Sequence, residues 1–210
     1  GPGAGAPAFN ATWDFLKVDF VPNAAGTPLF RVNAGGAEIA ALDGGPNWTA
    51  DTAGTNSPYL VYAGSNNTSG FTVGSVDASV PLGTPQDIFT TERWDNTDDA
   101  AGEMQWTFPT GDGLFRVRLY LMNGFDGTSA AGERIYDVAV EGAVPAVYDA
   151  IDLSAQFGHQ VAGMLAFDVA VSDGALDLEF IHEVENPLIN GIEILSLDSG
   201  GSNQPPAVDP

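Results

Sequence analysis

The sequence has no cysteine and very little positive charge. Without cysteine there is no disulfide framework, no thiol nucleophile and no thiolate metal site. Lysine and arginine together number six, against 28 aspartates and glutamates, for a formal net charge of -22. Phosphate backbones are gripped by clustered Lys and Arg, so nucleic acid is excluded as a partner and an anionic membrane surface is disfavoured. No apolar run approaches the length of a transmembrane helix, so no membrane insertion is expected. Depletion of cations fits a protein working in salt, where screening mutes self-repulsion; an acidic coat that only aids solubility is the plainer alternative.

Histidine is scarce as well. His159 and His182 are the only two, and neither neighbours a Gly-x-Ser-x-Gly elbow or a second metal-ligating His or Cys, so serine hydrolysis and zinc chemistry find no constellation. A carboxylate pair for glycoside hydrolysis can be drawn anywhere among 28 acids, which makes any particular pair uninformative. The expectation is a protein without catalytic activity or required cofactor. Asp95-Asn96-Thr97-Asp98-Asp99 offers hard oxygen ligands for a structural calcium ion, with a solvated turn as the alternative.

What is present has a period of two. Phe115, Val117, Leu119 and Leu121 share one face of a strand spanning 114–122. Leu165, Phe167, Val169 and Val171 do so over 164–171. Asp173-Gly174 then carries a hairpin signal before Leu176, Leu178 and Phe180. Further strands are expected at 30–33, 71–76, 104–108, 134–140 and 188–197, with one helical turn or two at 153–159. Many short strands between Gly/Asp/Asn turns point to an all-β jelly-roll sandwich of two antiparallel sheets. Residues 29–198 form the domain. Residues 1–28 read as a linker and lead-in, and 199–210, rich in Gly and Pro, as a linker to a following module.

The stretch from Gly35 to Gly74 is rich in Gly, Asn, Thr and Ser, with Trp48, Tyr59, Tyr62 and Phe71 scattered through it. Such aromatics either pin the loop to the sandwich or form a ligand platform. Flat rings plus carboxylates and amides are the ingredients of neutral-sugar recognition, which needs no cation.

Several segments in order resemble the malectin family of carbohydrate-binding domains: FRVNAGG from Phe30, DIFTTERWD from Asp87, FRVRLYL from Phe115, GERIYDV from Gly132, the turn from Asp149 to His159, and NPLINGIEI from Asn186. The resemblance runs from Leu29 to Leu195. It implies a jelly-roll sandwich whose loops bind glucose-type oligosaccharides through aromatic residues and an acid. The aromatic after Thr-Glu-Arg falls on Trp94, and the loop pair after the central strand falls on Gly124 and Phe125, so one ring is missing. The acid before Asn-Pro falls on Glu185, and the first-loop tyrosine on Tyr59 or Tyr62. Asp126 and Asn186 complete the expected hydroxyl-binding set. Arg93 is expected to satisfy buried carbonyls or a carboxylate rather than a ligand. Asn190-Gly191 is expected to mark a bulge or a close backbone approach. The function implied is a secreted or cell-surface module, monomeric and tethered to other domains, whose partner is a neutral glycan. The alternative is a protein-interaction or spacer module of an adhesin-like chain.

Overall fold

The computed structural model describes residues 26–62, 67–96 and 102–198. Two sheets enclose the main core. One contains β1 (Thr27–Ala34), β2 (Thr49–Asp51), β5 (Ser75–Val76), β8 (Gly113–Leu121), β10 (Val161–Val171) and β13 (Gly191–Ser196), in the order β2-β1-β13-β8-β10-β5. The other orders β3 (Leu60–Tyr62), β7 (Met104–Phe108), β11 (Leu176–Val184) and β9 (Ile135–Val140) as β3-β7-β11-β9. A third, smaller sheet joins β4 (Asn67–Gly70), β6 (Thr91–Trp94) and β12 (Leu188–Ile189), with β6 in the middle. The all-β expectation therefore holds, but two antiparallel sheets is too simple. Among the described residues there are three, and the six-stranded one ends in parallel pairs, β1 with β2 and β10 with β5.

Alternation builds the core as the sequence implies. Phe115, Val117, Leu119 and Leu121 of β8 are buried against Leu176, Leu178 and Phe180 of β11, with Trp106 and Phe108 from β7. Burying one such side chain contributes about 1.5–3 kcal/mol. The other face of β8 is also covered. Tyr120 is buried in a second cluster with Trp48, Ile88 and Phe89, its ring edge-on to Trp48 at 5.1 Å. Helix α1 (Leu153–Gln156) occupies the expected turn, capped by the Asp152 side chain, which accepts from the Ala155 amide.

Two expected elements differ. Asp173-Gly174 does not close a hairpin: β10 pairs with β8 and β5, whereas β11 pairs with β7 and β9. The turn carries the chain from one sheet to the other, each strand pairing with neighbours in its own sheet. The expected strand over 71–76 shrinks to β5, since Phe71 and Val73 turn inward onto the second cluster.

The closing segment 188–197 is interrupted at Asn190. Its side chain accepts from the Met122 amide at 2.6 Å and donates to the Thr91 carbonyl at 2.8 Å. Those bonds replace ladder contacts where the chain passes from the small sheet (β12) to the large one (β13).

Candidate functional site

Strand β6 organises the site through its period of two. In Thr91-Glu92-Arg93-Trp94, one face carries Thr91 and Arg93. Thr91 donates to Asn33 and to the Ala34 carbonyl, and Arg93 is fully buried against Asp51. The Arg93–Asp51 contact is two-pronged, Nε to Oδ2 at 2.5 Å and Nη2 to Oδ1 at 2.9 Å. Asp51 also accepts from the Ser57 and Gly35 amides. Arg93 thus has the structural role expected of it, anchoring β6 to β2.

The other face of β6 presents Glu92 and Trp94 to a solvent-open cavity of about 210 Å³. Trp94 is half-buried and its indole Nε1 donates to Ser69 Oγ on β4 at 2.9 Å, which fixes the ring plane. Across the cavity stand Phe125, Phe71 and the polar trio Arg134, Glu185 and Asn186. Phe71 directly follows β4, Phe125 lies in the loop after β8, Arg134 directly precedes β9 and Glu185 and Asn186 directly follow β11, so the cavity lies at one end of the sandwich.

The aromatic wall has an origin the sequence hid. Gly124 occupies the position of the missing ring, and a β-carbon there would collide with the Phe71 side chain. Phe71, arriving from the preceding loop, fills that space. The next residue, Phe125, is 46% exposed and folds over Gly127. Its loop is held by Asn123, which donates to the Thr128 carbonyl at 2.6 Å and to Ser154 Oγ at 3.0 Å.

The polar wall is linked. Arg134, 5% exposed, donates to Asn123 Oδ1 and to Glu185 Oε2, each at 3.3 Å. Glu185 adopts a left-handed backbone (φ 61°) and also accepts from the Asn186 amide at 2.6 Å. Glu92 lies beneath them. Burial pushes its carboxyl up to about 7, Arg134 pulling the other way and Glu185 adding to the rise.

Of the residues singled out from sequence, Trp94, Phe125, Glu185 and Asn186 meet at this cavity. Asp126 sits beside Phe125 but faces solvent and contacts His159 at 3.2 Å. Tyr59 lies elsewhere, stacked on Phe108 at 5.0 Å and edge-on to Phe30 at 5.2 Å over the main core. Tyr62 belongs to β3, and its side chain falls outside the described residues. Ser69, Glu92 and Arg134 were not anticipated, and Phe71 was named only as one of four loop aromatics that could form a platform. Strand alternation across Thr-Glu-Arg-Trp was the one signal that could have paired Glu92 with Trp94.

Of the suggested calcium loop, Thr97 to Asp99 lie outside the described residues. Asp95, Glu103 and His182 bring ligating atoms within 4.8 Å of one another. An imidazole donor suits a transition metal better than calcium, and His182 Nδ1 is already hydrogen-bonded to Glu103. Among the described residues no helix is long and apolar enough to cross a membrane.

These features define an all-β sandwich domain with an aromatic-lined pocket at its loop end. The Malectin domain family model matches residues 29–192, and the chain belongs to that family. No curated protein matches. Solved structures with the same fold include the plant receptor-like kinase FER (TM-score 0.69, 18% identity, 82% of this chain and 50% of that one). The ANX2 ectodomain from Arabidopsis thaliana is similar (TM-score 0.67, 19% identity, 82% and 50%). So is a complex of the plant peptide RALF23 with FER and LLG2 (TM-score 0.68, 20% identity, 80% and 48%). The chain spans about half the length of these neighbours.

Proposed function

We propose that this protein is a non-catalytic carbohydrate-binding module that seats a glucose-type oligosaccharide in the cavity between Trp94 and Phe125. It works outside the cell or at its surface, as one monomeric jelly-roll unit (residues 29–198) tethered within a longer chain. The observation that carries the reading is the convergence of three aromatic side chains, Trp94, Phe125 and Phe71, with Glu185, Asn186 and Arg134 around one open cavity. Rings stack on the C–H faces of a sugar, and the carboxylate, amide and guanidinium hydrogen-bond its hydroxyls. Trp94 is held in plane by Ser69, so little ring freedom is lost on binding. Asp126, solvent-exposed beside Phe125, would accept a hydroxyl hydrogen bond from the sugar.

A second reading is a protein- or peptide-binding module. It is favoured by the shared fold with FER, which has been solved in complex with the peptide RALF23 and LLG2. A glycan array probed with wild type and Trp94→Ala separates the two. Glucan signals that Trp94→Ala abolishes support the carbohydrate reading, and an array without glucan signals favours the second.

A further inference from the structure

Glu92 is the most buried side chain lining the cavity, only 2% exposed, yet its Oε2 has no hydrogen-bond partner among the described residues. Buried carboxyl oxygens are normally satisfied, because an unmet one bears its full desolvation cost. Arg134 Nε and the Tyr136 hydroxyl are buried and unpartnered as well, and both Glu92 and Arg134 act electrostatically on Tyr136. Unmet polar atoms thus gather beneath the aromatic walls. Glu92 reaches the cavity on the same face of β6 as Trp94, so a ring stacked on the indole has its edge above this floor.

We propose that Glu92 is a ligand-contacting, specificity-determining residue: its carboxylate, at the floor of the cavity, accepts a hydrogen bond from a sugar hydroxyl. This deepens, and rests on, the carbohydrate reading above. A hydroxyl donates to a carboxylate more strongly than to a neutral acid, so the ligand stabilises the charged form. Arg134 supplies the countercharge. Glu185 opposes ionisation, and Tyr136 stays neutral because burial drives its phenol upward. In the free protein burial holds the Glu92 carboxyl near 7, so below neutrality it is largely protonated. The complex has the lower pKa, so affinity is greatest above neutrality and is lost as pH falls through that range.

The test is calorimetric titration of wild type and Glu92→Gln with maltotriose, laminaritriose and cellotriose, at about pH 5.5 and about pH 8. A gap of one pKa unit between free and bound protein corresponds to about a tenfold affinity change. Wild type should therefore bind its preferred trisaccharide about tenfold more weakly at the lower pH. Glu92→Gln should bind more weakly than wild type at the higher pH and lose the pH dependence. Wild-type titrations near neutrality in two buffers of different ionisation enthalpy should show net proton release, a readout independent of any variant. Binding without proton release, or a Glu92→Gln protein as pH-dependent as wild type, overturns the role of Glu92 and leaves the carbohydrate reading intact. No binding of any trisaccharide by wild type at either pH overturns both.

Discussion

Phe71 packs over Gly124 so closely that a β-carbon on residue 124 would stand 2.6 Å from Phe71 Cβ and closer still to its ring. The glycine and the distant phenylalanine therefore act as one unit, the loop ring occupying space that the glycine leaves. Gly124→Ala should push Phe71 out of the aromatic wall. The expected result is about tenfold weaker sugar binding with about 1–3 kcal/mol lost from stability, the usual cost of overpacking. Calorimetry beside urea denaturation reads both. Unchanged affinity would show that Phe71 lines the cavity without touching ligand.

The Arg93–Asp51 pair is fully buried on both sides. Asp51→Ala leaves the guanidinium charge without its carboxylate and should cost about 3–5 kcal/mol. Urea unfolding of that variant checks it, and a loss below about 1 kcal/mol would mean that backbone carbonyls suffice to hold Arg93.

Stability should also report Glu92. Its folded pKa, about 7, exceeds the ordinary value of 4.5. The folded state therefore holds its proton more tightly, and the contribution is fully present below about pH 4.5. It is lost as pH rises through about 7, a fall of about 3 kcal/mol. Glu92→Gln should flatten this part of a denaturation profile. An identical profile in wild type and variant would show that Glu92 ionises normally in the folded protein.

How much of this was legible in the sequence depends on how local the signal was. The core-facing sides of β8, β10 and β11 follow from alternation within single strands. Phe115, Val117, Leu119, Leu121, Leu165, Val171, Leu176, Leu178 and Phe180 are buried as the pattern names them, with Phe167 and Val169 half-buried. The burial of Tyr120 on the opposite face depends instead on the second cluster. Trp94, Phe125, Glu185 and Asn186 were reachable through family motifs, and they do share a cavity. Phe71 was hidden because its partnership with Gly124 spans two loops. Glu92 was one acid among 28, and its alternation with Trp94 in β6 was the one sequence signal that set it apart. Tyr59 had the composition of a ligand platform but serves as a core anchor against Phe108, a difference that only tertiary packing decides. Asp173-Gly174 carried a true turn signal; which strands pair across it is a matter of the whole sheet.

With a net charge of -22, self-repulsion should weaken the folded state at low ionic strength. Salt screens exposed charges beyond about 8–10 Å at physiological strength. The melting temperature should therefore rise as sodium chloride is added. A maximum at low salt would contradict the reading of the acidity as an adaptation to saline surroundings.

The central claim is that the cavity beside Trp94 receives a sugar, and the Trp94 indole proton tests it most directly. In nitrogen-edited NMR spectra its Nε1–H signal, assigned by comparison with Trp94→Phe, should shift progressively as maltotriose, laminaritriose or cellotriose is added. The signals of Trp48 and Trp106, both buried in the cores, should stay in place. A Trp94 signal that none of the three sugars moves would contradict the account.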